Sequence, residues 1–220
     1  MIENFQKELS DIIERIKRSG EVPHLLLHAC CAPCSSYVLE YLSEYFRITL
    51  FYYNPNISPE GEYAHRVSEI RRFVKEFKTK QPVTLIEGKY EPARFYAIAK
   101  GMESLPEGGE RCRRCYALRL SEAAKLAKEL GADYFTTTLT ISPQKSSAVL
   151  NEVAEDQAKV YGVKRLPSDF KKRAGYLRSI ELSHEYHLYR QNFCGCVYSM
   201  REALARDAAR DAAQAKETSA

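Results

Sequence analysis

The chain has 220 residues, of which 45% are hydrophobic and 28% charged, so it can form one globular domain with its own apolar core. No apolar run is long enough to span a membrane, and the N-terminal segment lacks the continuous apolar stretch of a signal peptide. We therefore expect a cytoplasmic protein with no membrane partner. The net charge of +4 permits nucleic-acid binding but does not by itself favour it.

The spacing of apolar residues predicts strands that alternate with helices along most of the chain. Predicted helices cover about 1–20, 35–45, 60–78, 92–100, 111–130, the residues after 144 to 161, and 176–190, and a final helix begins at about 194. Predicted strands cover 25–27, 47–53, 83–86, 133–140 and 163–166. This alternation indicates a doubly wound α/β fold with a parallel sheet. We expect residues 1–220 to form a single α/β domain, with a basic helical C-terminal part at 164–204 and a frayed tail at 205–220.

Seven cysteines fall into three groups, each in a loop or beside the start of a helix, and the groups are Cys30, Cys31 and Cys34; Cys112 and Cys115; Cys194 and Cys196. Grouped cysteines in a chain of this kind favour metal or redox chemistry over a disulfide framework. The alternative, a set of buried cysteines that act as small apolar residues, fits their polar surroundings poorly.

The first group lies between an apolar strand and the helix that follows it. In an open α/β sheet this edge is where ligands bind. The helix dipole lowers the pKa of thiols at such a position, so we expect Cys34 and its neighbours to be partly thiolate.

The second group places two thiols three residues apart at a helix start, where both can bind one metal. Its helix is predicted to begin on the same edge of the sheet as the helix after Cys30 and Cys31. Four sulfurs from two loops suit either a Zn(Cys)4 site or a [4Fe–4S] cluster. The position at the ligand-binding edge favours iron–sulfur, but the spacing does not decide between them.

The third group is Cys194-Gly195-Cys196. A disulfide between cysteines this close is strained, because extended neighbours at that spacing lie near the roughly 7 Å upper limit for bridged Cα atoms. Strained disulfides are the labile, catalytic kind, and Gly195 gives the backbone the freedom that such a ring needs. The alternative is that both thiols bind one metal.

The segment 164–190 combines basic residues with aromatic ones, which would suit phosphates and an unstacked base. Its candidate RNA-binding cations are Lys171, Lys172, Arg173 and Arg178, and its aromatic residues, with one just beyond, are Phe170, Tyr176, Tyr186, Tyr189 and Phe193. A solvated helix face with tyrosines in the core explains the same pattern equally well.

Five stretches together resemble the epoxyqueuosine reductase family that works without cobalamin: HACCAPCSSYVLEYL, ERCRRCYALRL, TTTLTISPQKS, LPSDFKKRAGYLRSIELS and YRQNFCGCVYS. The resemblance spans about residues 25–199 and keeps the family's order of cysteine motifs. It implies a sheet like that of the adenine-nucleotide α-hydrolase (PP-loop) proteins. It also implies reduction of the epoxide on the modified wobble guanine of a tRNA anticodon, with electrons from an external donor.

The resemblance further implies roles for individual residues. Cys30, Cys31, Cys112 and Cys115 match the family's proposed [4Fe–4S] ligands, and Cys194 with Cys196 matches its proposed redox-active disulfide. Cys34 and Asp169 belong to the same motifs without an assigned role, and we consider them candidate ligands of a second iron.

Two other classes of protein compete with this interpretation. A tRNA thiolase or adenylating enzyme on the same fold needs a glycine-rich phosphate loop after the first strand, and HACCAPCSS has no glycine there. A zinc-stabilised RNA-binding module without catalysis would contain zinc and no iron.

Overall fold

The computed structural model describes residues 4–217, with side chains through residue 214. Residues 1–3 of the first predicted helix and 218–220 of the expected tail lie outside this range. The helices are α1 (Phe5–Ser19), α2 (Ala32–Leu42), α3 (Glu60–Glu76), α4 (Pro92–Ala99), α5 (Glu110–Glu129), α6 (Ser147–Tyr161), α7 (Gly175–Glu185) and α8 (Val197–Glu217). The strands are β1 (His24–Ala29), β2 (Arg47–Tyr52), β3 (Val83–Glu87) and β4 (Tyr134–Thr137).

Strand β1 lies inside a four-stranded, all-parallel sheet of order β3-β2-β1-β4. Leu25 and Leu27 face a core shared with α1, α2 and α3, whereas Leu26 faces a core shared with α5 and α6. Because helices cover both faces, the strand is continuously apolar instead of alternating. The predicted doubly wound α/β class is confirmed.

The order of the strands fixes where a ligand can bind. From β1 the chain adds β2 and β3 on one side and then places β4 on the other. The helices after neighbouring strands therefore diverge, which opens a crevice at the carboxyl ends of β1 and β4. The first cysteine motif follows β1 directly at this crevice.

Three predicted elements differ from those observed. The fifth strand is only a bridge between Phe135 and Arg165, because Pro167 follows within two residues and cannot donate to a ladder. Strand β4 ends early because the Thr137 hydroxyl accepts a hydrogen bond from the Leu139 N–H and starts a 3-10 turn, Thr138–Ile141. The helix predicted to reach residue 190 ends at Glu185.

Helix α8 continues through much of the segment that we expect to be a frayed tail, and most of its side chains from Leu204 to residue 214 are exposed. None of the helices in the described part of the chain combines the length and apolar character that crossing a membrane requires.

Candidate metal and thiol site

The first cysteine motif lies where β1 ends and α2 begins. Cys31 has an extended backbone and caps the helix, and Pro33 occupies the first turn, where a missing N–H leaves no bond unmade. This turn brings the Sγ atoms of Cys30, Cys31 and Cys34 within 4.8 Å of one another, with 3.8 Å between the first two. Within residues 4–214, no other set of three or more cysteine, histidine or acidic ligand atoms is grouped this way. We call these three cysteines the thiol trio.

The three thiols of the trio differ in acidity, and Cys30 is the most acidic of them. Hydrogen bonds from the Cys31 and Cys34 thiols hold the pKa of Cys30 well below its usual range. The same contacts raise the pKa of Cys31 to about 12 and the pKa of Cys34 well above its usual value. The Thr138 hydroxyl adds a hydrogen bond to the Cys30 sulfur at 3.4 Å. Our expectation of a thiolate is thus wrong for Cys34, because its proton is donated to Cys30.

Three cations that the sequence reasoning missed surround the thiols. Burial alone would lower the pKa of Arg119, but Cys115, Cys194 and Cys30 raise it overall. Lys145 follows the same pattern, since burial lowers its pKa and the nearby Cys194 raises it above its ordinary value. The third is Arg66. Burial alone would lower the pKa of its guanidinium, but the neighbouring Cys31 raises it, and the net effect is a raised pKa. Their spacing in sequence, 66, 119 and 145, gives no signal that they converge.

The other four cysteines line a second, enclosed cavity of about 10 Å³, which we call the four-thiol cavity. It is formed by Cys112 and Cys115 at the start of α5 and by Cys194 and Cys196 before α8. Burial raises the pKa of Cys112 and Cys196, and it raises the pKa of Cys115 to about 12. Burial therefore favours the protonated thiol form of Cys112, Cys115 and Cys196 when no metal is bound.

The structure distributes the sequence-predicted ligands between these two places. Cys30 and Cys31 belong to the thiol trio, whereas Cys112 and Cys115 line the four-thiol cavity together with the predicted redox pair. Asp169 is not part of the trio's group, and its carboxylate instead pairs with Lys171 Nζ at 2.6 Å.

A larger cavity of about 450 Å³ lies over the thiol trio. The trio forms part of its wall, and Cys194 borders both this cavity and the four-thiol cavity. Other lining residues are Arg66, Lys145, Tyr176, Arg190, Gln191 and Phe193. Its volume is in the range of sites that enclose a small molecule or an extruded base.

Four of the five predicted RNA-binding aromatics divide into two sets, and the fifth, Tyr189, packs edge-on against His65 of α3. Tyr176 and Phe193 line the large cavity. Phe170 is 1% exposed and belongs to the apolar core, so the expectation that it stacks on a base is wrong. Tyr186 packs edge-on against Phe73 and contributes to the core as well.

The predicted RNA-binding cations also differ in their surroundings. Lys172 and Arg173 are exposed. Lys171 is half-buried against Asp169, and Arg178 forms an ion pair with Glu40 at 2.7 Å.

The donor set fits a metal–thiolate group. Arg119 Nε and Nη1, together with Arg66 Nη2, are buried and find no hydrogen-bond partner among the described residues. Buried guanidinium N–H groups without an acceptor are costly, and an anionic group held by the neighbouring thiolates would accept hydrogen bonds from them. Thiolates are also the ligands that iron–sulfur clusters and zinc prefer.

An α/β sheet whose first strand leads directly into one of three cysteine groups, with a CxxC and a CxC motif forming the other two, is typical of proteins with thiol or metal–sulfur chemistry. The model of the family "Epoxyqueuosine reductase QueH" matches residues 25–202. The chain belongs to this family of oxidoreductases.

Curated relatives agree along nearly the whole chain. The epoxyqueuosine reductase QueH of Staphylococcus epidermidis is 47% identical over 200 residues, which cover 89% of this chain and 84% of the relative. The protein of the same name from Streptococcus pyogenes serotype M1 is 45% identical over 200 residues, with 90% and 78% covered. That from Thermotoga maritima is 34% identical over 184 residues, with 81% and 91% covered.

Proposed function

We propose that this protein reduces the epoxide of epoxyqueuosine at the wobble position of tRNA to give queuosine, without cobalamin. The observation that carries the proposal is the cavity of about 450 Å³ whose wall includes the thiol trio and Cys194. Membership of the epoxyqueuosine reductase QueH family supports the same reaction.

The reaction needs two electrons and two protons. Both carbon–oxygen bonds of the epoxide break, a carbon–carbon double bond forms, and the oxygen leaves as water. An iron–sulfur cluster, when bound, supplies electrons one at a time. Where they do not bind the cluster, Cys194 and Cys196 would add a two-electron store, since two thiols release two electrons and two protons when they join as a disulfide. An external donor must then reduce that disulfide.

Two assignments of the cluster ligands follow from the sequence and from the grouping of the thiols. In the first, Cys30, Cys31, Cys112 and Cys115 hold the [4Fe–4S] cluster, Cys34 and Asp169 bind a second iron, and the CxC pair is redox-active. In the second, the four cysteines of the four-thiol cavity hold the cluster, and the thiol trio binds a separate iron. The shared cavity of the CxxC and CxC motifs favours the second assignment.

The substrate's modified base would enter the large cavity from the single-stranded anticodon loop, where bases can be splayed out. Tyr176 and Phe193 offer aromatic surfaces there, and the guanidinium of Arg190 lies 5.9 Å from the Tyr176 ring centre. Lys171, Lys172, Arg173 and Arg178 are the proposed tRNA-binding cations, of which Lys172 and Arg173 are the most accessible.

The test is an anaerobic assay with tRNA that carries epoxyqueuosine and a chemically reduced viologen as donor. Nucleosides are analysed by mass spectrometry, and iron and sulfide are measured per chain. We expect conversion to queuosine by protein that contains iron and sulfide. Protein that contains zinc and no iron and leaves the epoxide unchanged would contradict the proposal and favour an RNA-binding module.

A further inference from the structure

The segment that carries the CxC motif is held by one face of helix α3. This segment, residues 186–196, has no helix or strand of its own, and we call it the CxC segment. The residues of α3 that form hydrogen bonds with it are charged and three or four positions apart, so they share one face of the helix: Glu62, Arg66, Glu69 and Arg72.

The far end of the CxC segment is held through its backbone. Arg72 Nη2 donates to the carbonyl oxygen of Tyr186 at 3.0 Å, and the Tyr189 N–H donates to Glu69 Oε2 at 2.8 Å. The Tyr189 hydroxyl also donates to Glu62 Oε2 at 3.2 Å. These bonds replace the ladder or helix bonds that the segment lacks.

The end near the cysteines depends on Arg66. Its Nη1 donates to the Cys194 carbonyl at 3.3 Å and, with the Gln191 amide oriented to satisfy both its neighbours, to the Gln191 oxygen at 3.0 Å. Its Nε donates to Glu62 Oε1 at 2.6 Å, which fixes the guanidinium plane. The same group lies 5.2 Å from the ring centre of Phe193. The side chain of Arg66 is only 2% exposed.

Gly195 shows how closely the segment approaches Arg66. Its φ of +114° is one that side chains rarely allow, and an added Cβ would lie 3.0 Å from both Arg66 Nη1 and Ile57 Cγ1. The Gly195 carbonyl accepts a hydrogen bond from the Ser58 N–H at 2.8 Å. Cys194 and Cys196 are therefore set by a backbone fitted against one buried guanidinium.

We propose that Arg66 is a positioning residue that holds Cys194 at the border between the thiol trio and the four-thiol cavity. Arg66 lines the large cavity together with Cys31, Cys34 and Cys194, so it connects the first and third cysteine motifs. A lysine cannot replace it, because an ammonium lacks the planar fork that reaches Glu62, Gln191 and the Cys194 carbonyl together. In the proposed function, which this inference rests on, that placement lets Cys194 serve the reacting centre.

The experiment measures the rate at which iodoacetamide alkylates each cysteine in the anaerobic, iron-loaded protein, read out peptide by peptide by mass spectrometry. The variants are Arg66→Lys, Arg66→Gln and Gly195→Ala, whose new methyl group pushes against the same guanidinium. The matched control is Arg72→Lys, which alters a contact to the same segment at its other end. Melting temperature and iron content are recorded for each.

We expect the alkylation of Cys194 to become about tenfold faster in Arg66→Lys and Arg66→Gln, because hydrogen bonds to a charged group are lost and the segment opens more often. Gly195→Ala should accelerate the alkylation of Cys194 to the same extent, whereas Arg72→Lys should leave that rate unchanged. The alkylation rate of Cys115 should be unchanged in all four variants. An unchanged Cys194 rate would overturn the proposal. Equal acceleration at Cys115 would overturn it too, since that pattern means general unfolding. If neither Arg66 variant folds, the alkylation rates of Cys194 and Cys115 in Gly195→Ala test the proposal instead.

Queuosine formation by the parent protein is measured in parallel. If the parent forms no queuosine, the proposed function fails. The alkylation rates still test whether Arg66 positions Cys194, because they do not depend on queuosine formation. In an active parent, Arg66→Lys should lower kcat more than it raises KM, because Arg66 is proposed to act on the reacting centre and not on tRNA capture.

Discussion

The thiol trio and the four-thiol cavity differ in how the chain builds them and in what they can reach. The trio comes from one turn of five residues, Cys30–Cys34, and it borders a cavity of about 450 Å³. The four-thiol cavity joins α5 to the start of α8, segments some 80 residues apart, and encloses about 10 Å³. A space of that size holds about one water molecule.

Charge separates the two groups as well. The thiol trio carries a thiolate on Cys30, stabilised by two neighbouring thiols and by Thr138. Burial keeps Cys112, Cys115 and Cys196 protonated. We therefore propose that chemistry on a substrate belongs to the trio, and that the four-thiol cavity holds a cluster or exchanges electrons. Cys194 is the cysteine that borders both spaces.

The largest effect should come from substituting either cysteine of the CxC motif. Cys194→Ser and Cys196→Ser should each lower queuosine formation by more than about a thousandfold, as removal of an essential reacting group does. Serine keeps the size but can neither form a disulfide nor bind iron well. The measurements are queuosine per turnover assay and iron per chain.

Iron content then decides which assignment of the thiols is correct. Unchanged iron with lost activity means a redox-active pair, and lost iron means that these cysteines are cluster ligands. Full activity in both serine variants, with reductant held limiting, would remove Cys194 and Cys196 from the mechanism.

The next effect separates members of the thiol trio. Cys30→Ala should lose more iron than Cys34→Ala, because Cys30 is the thiolate and Cys34 donates its proton to it. Cys112→Ala should also lose iron and lower the free energy of unfolding, since metal binding contributes to folding. Iron, sulfide and thermal unfolding are measured together. Equal retention of iron in all three variants would contradict a metal role for both groups.

A smaller effect is expected on tRNA affinity when basic residues outside both thiol groups are replaced. Replacing Lys171, Lys172 and Arg173 together should weaken tRNA binding by roughly tenfold to a hundredfold and flatten its salt dependence, because fewer counterions are released. Iron content should not change. Arg178→Gln is the comparison, and it should alter the salt dependence less because Glu40 and Glu181 already neutralise Arg178. If tRNA affinity depended on salt concentration identically in the parent and the triple variant, these three residues would not contact tRNA and would only form a solvated surface.

The sequence predicts elements that are determined by a few neighbouring residues, but it cannot predict which distant segments meet in the folded protein. The buried strand and its cysteine turn are readable because Leu25–Leu27 and Pro33 act over a few residues. The meeting of the CxxC and CxC motifs depends on how α5 and α8 pack, and no spacing encodes it. The cations Arg66, Arg119 and Lys145 were missed because each is an ordinary charged residue in its own segment. Phe170 was wrongly assigned to RNA because a mixed aromatic and basic pattern does not tell a core residue from an exposed one.

The last prediction acts on the thiol trio alone. Thr138 follows β4, and its hydroxyl accepts from the Cys30 N–H at 3.2 Å and donates to the Cys30 sulfur at 3.4 Å. Thr138→Val keeps the shape but removes both bonds, so it should weaken metal binding at the trio by about tenfold, as loss of a hydrogen bond to a ligand does. Thr138→Ser should restore it. The measurement is a titration of the metal-free protein with Co²⁺, whose thiolate absorption reports binding, with Cys112→Ala as background to isolate the trio. Equal affinity in the valine and serine variants would mean that Thr138 does not support the Cys30 thiolate, and the Cys31 and Cys34 thiols would then account for the lowered pKa of Cys30 without it.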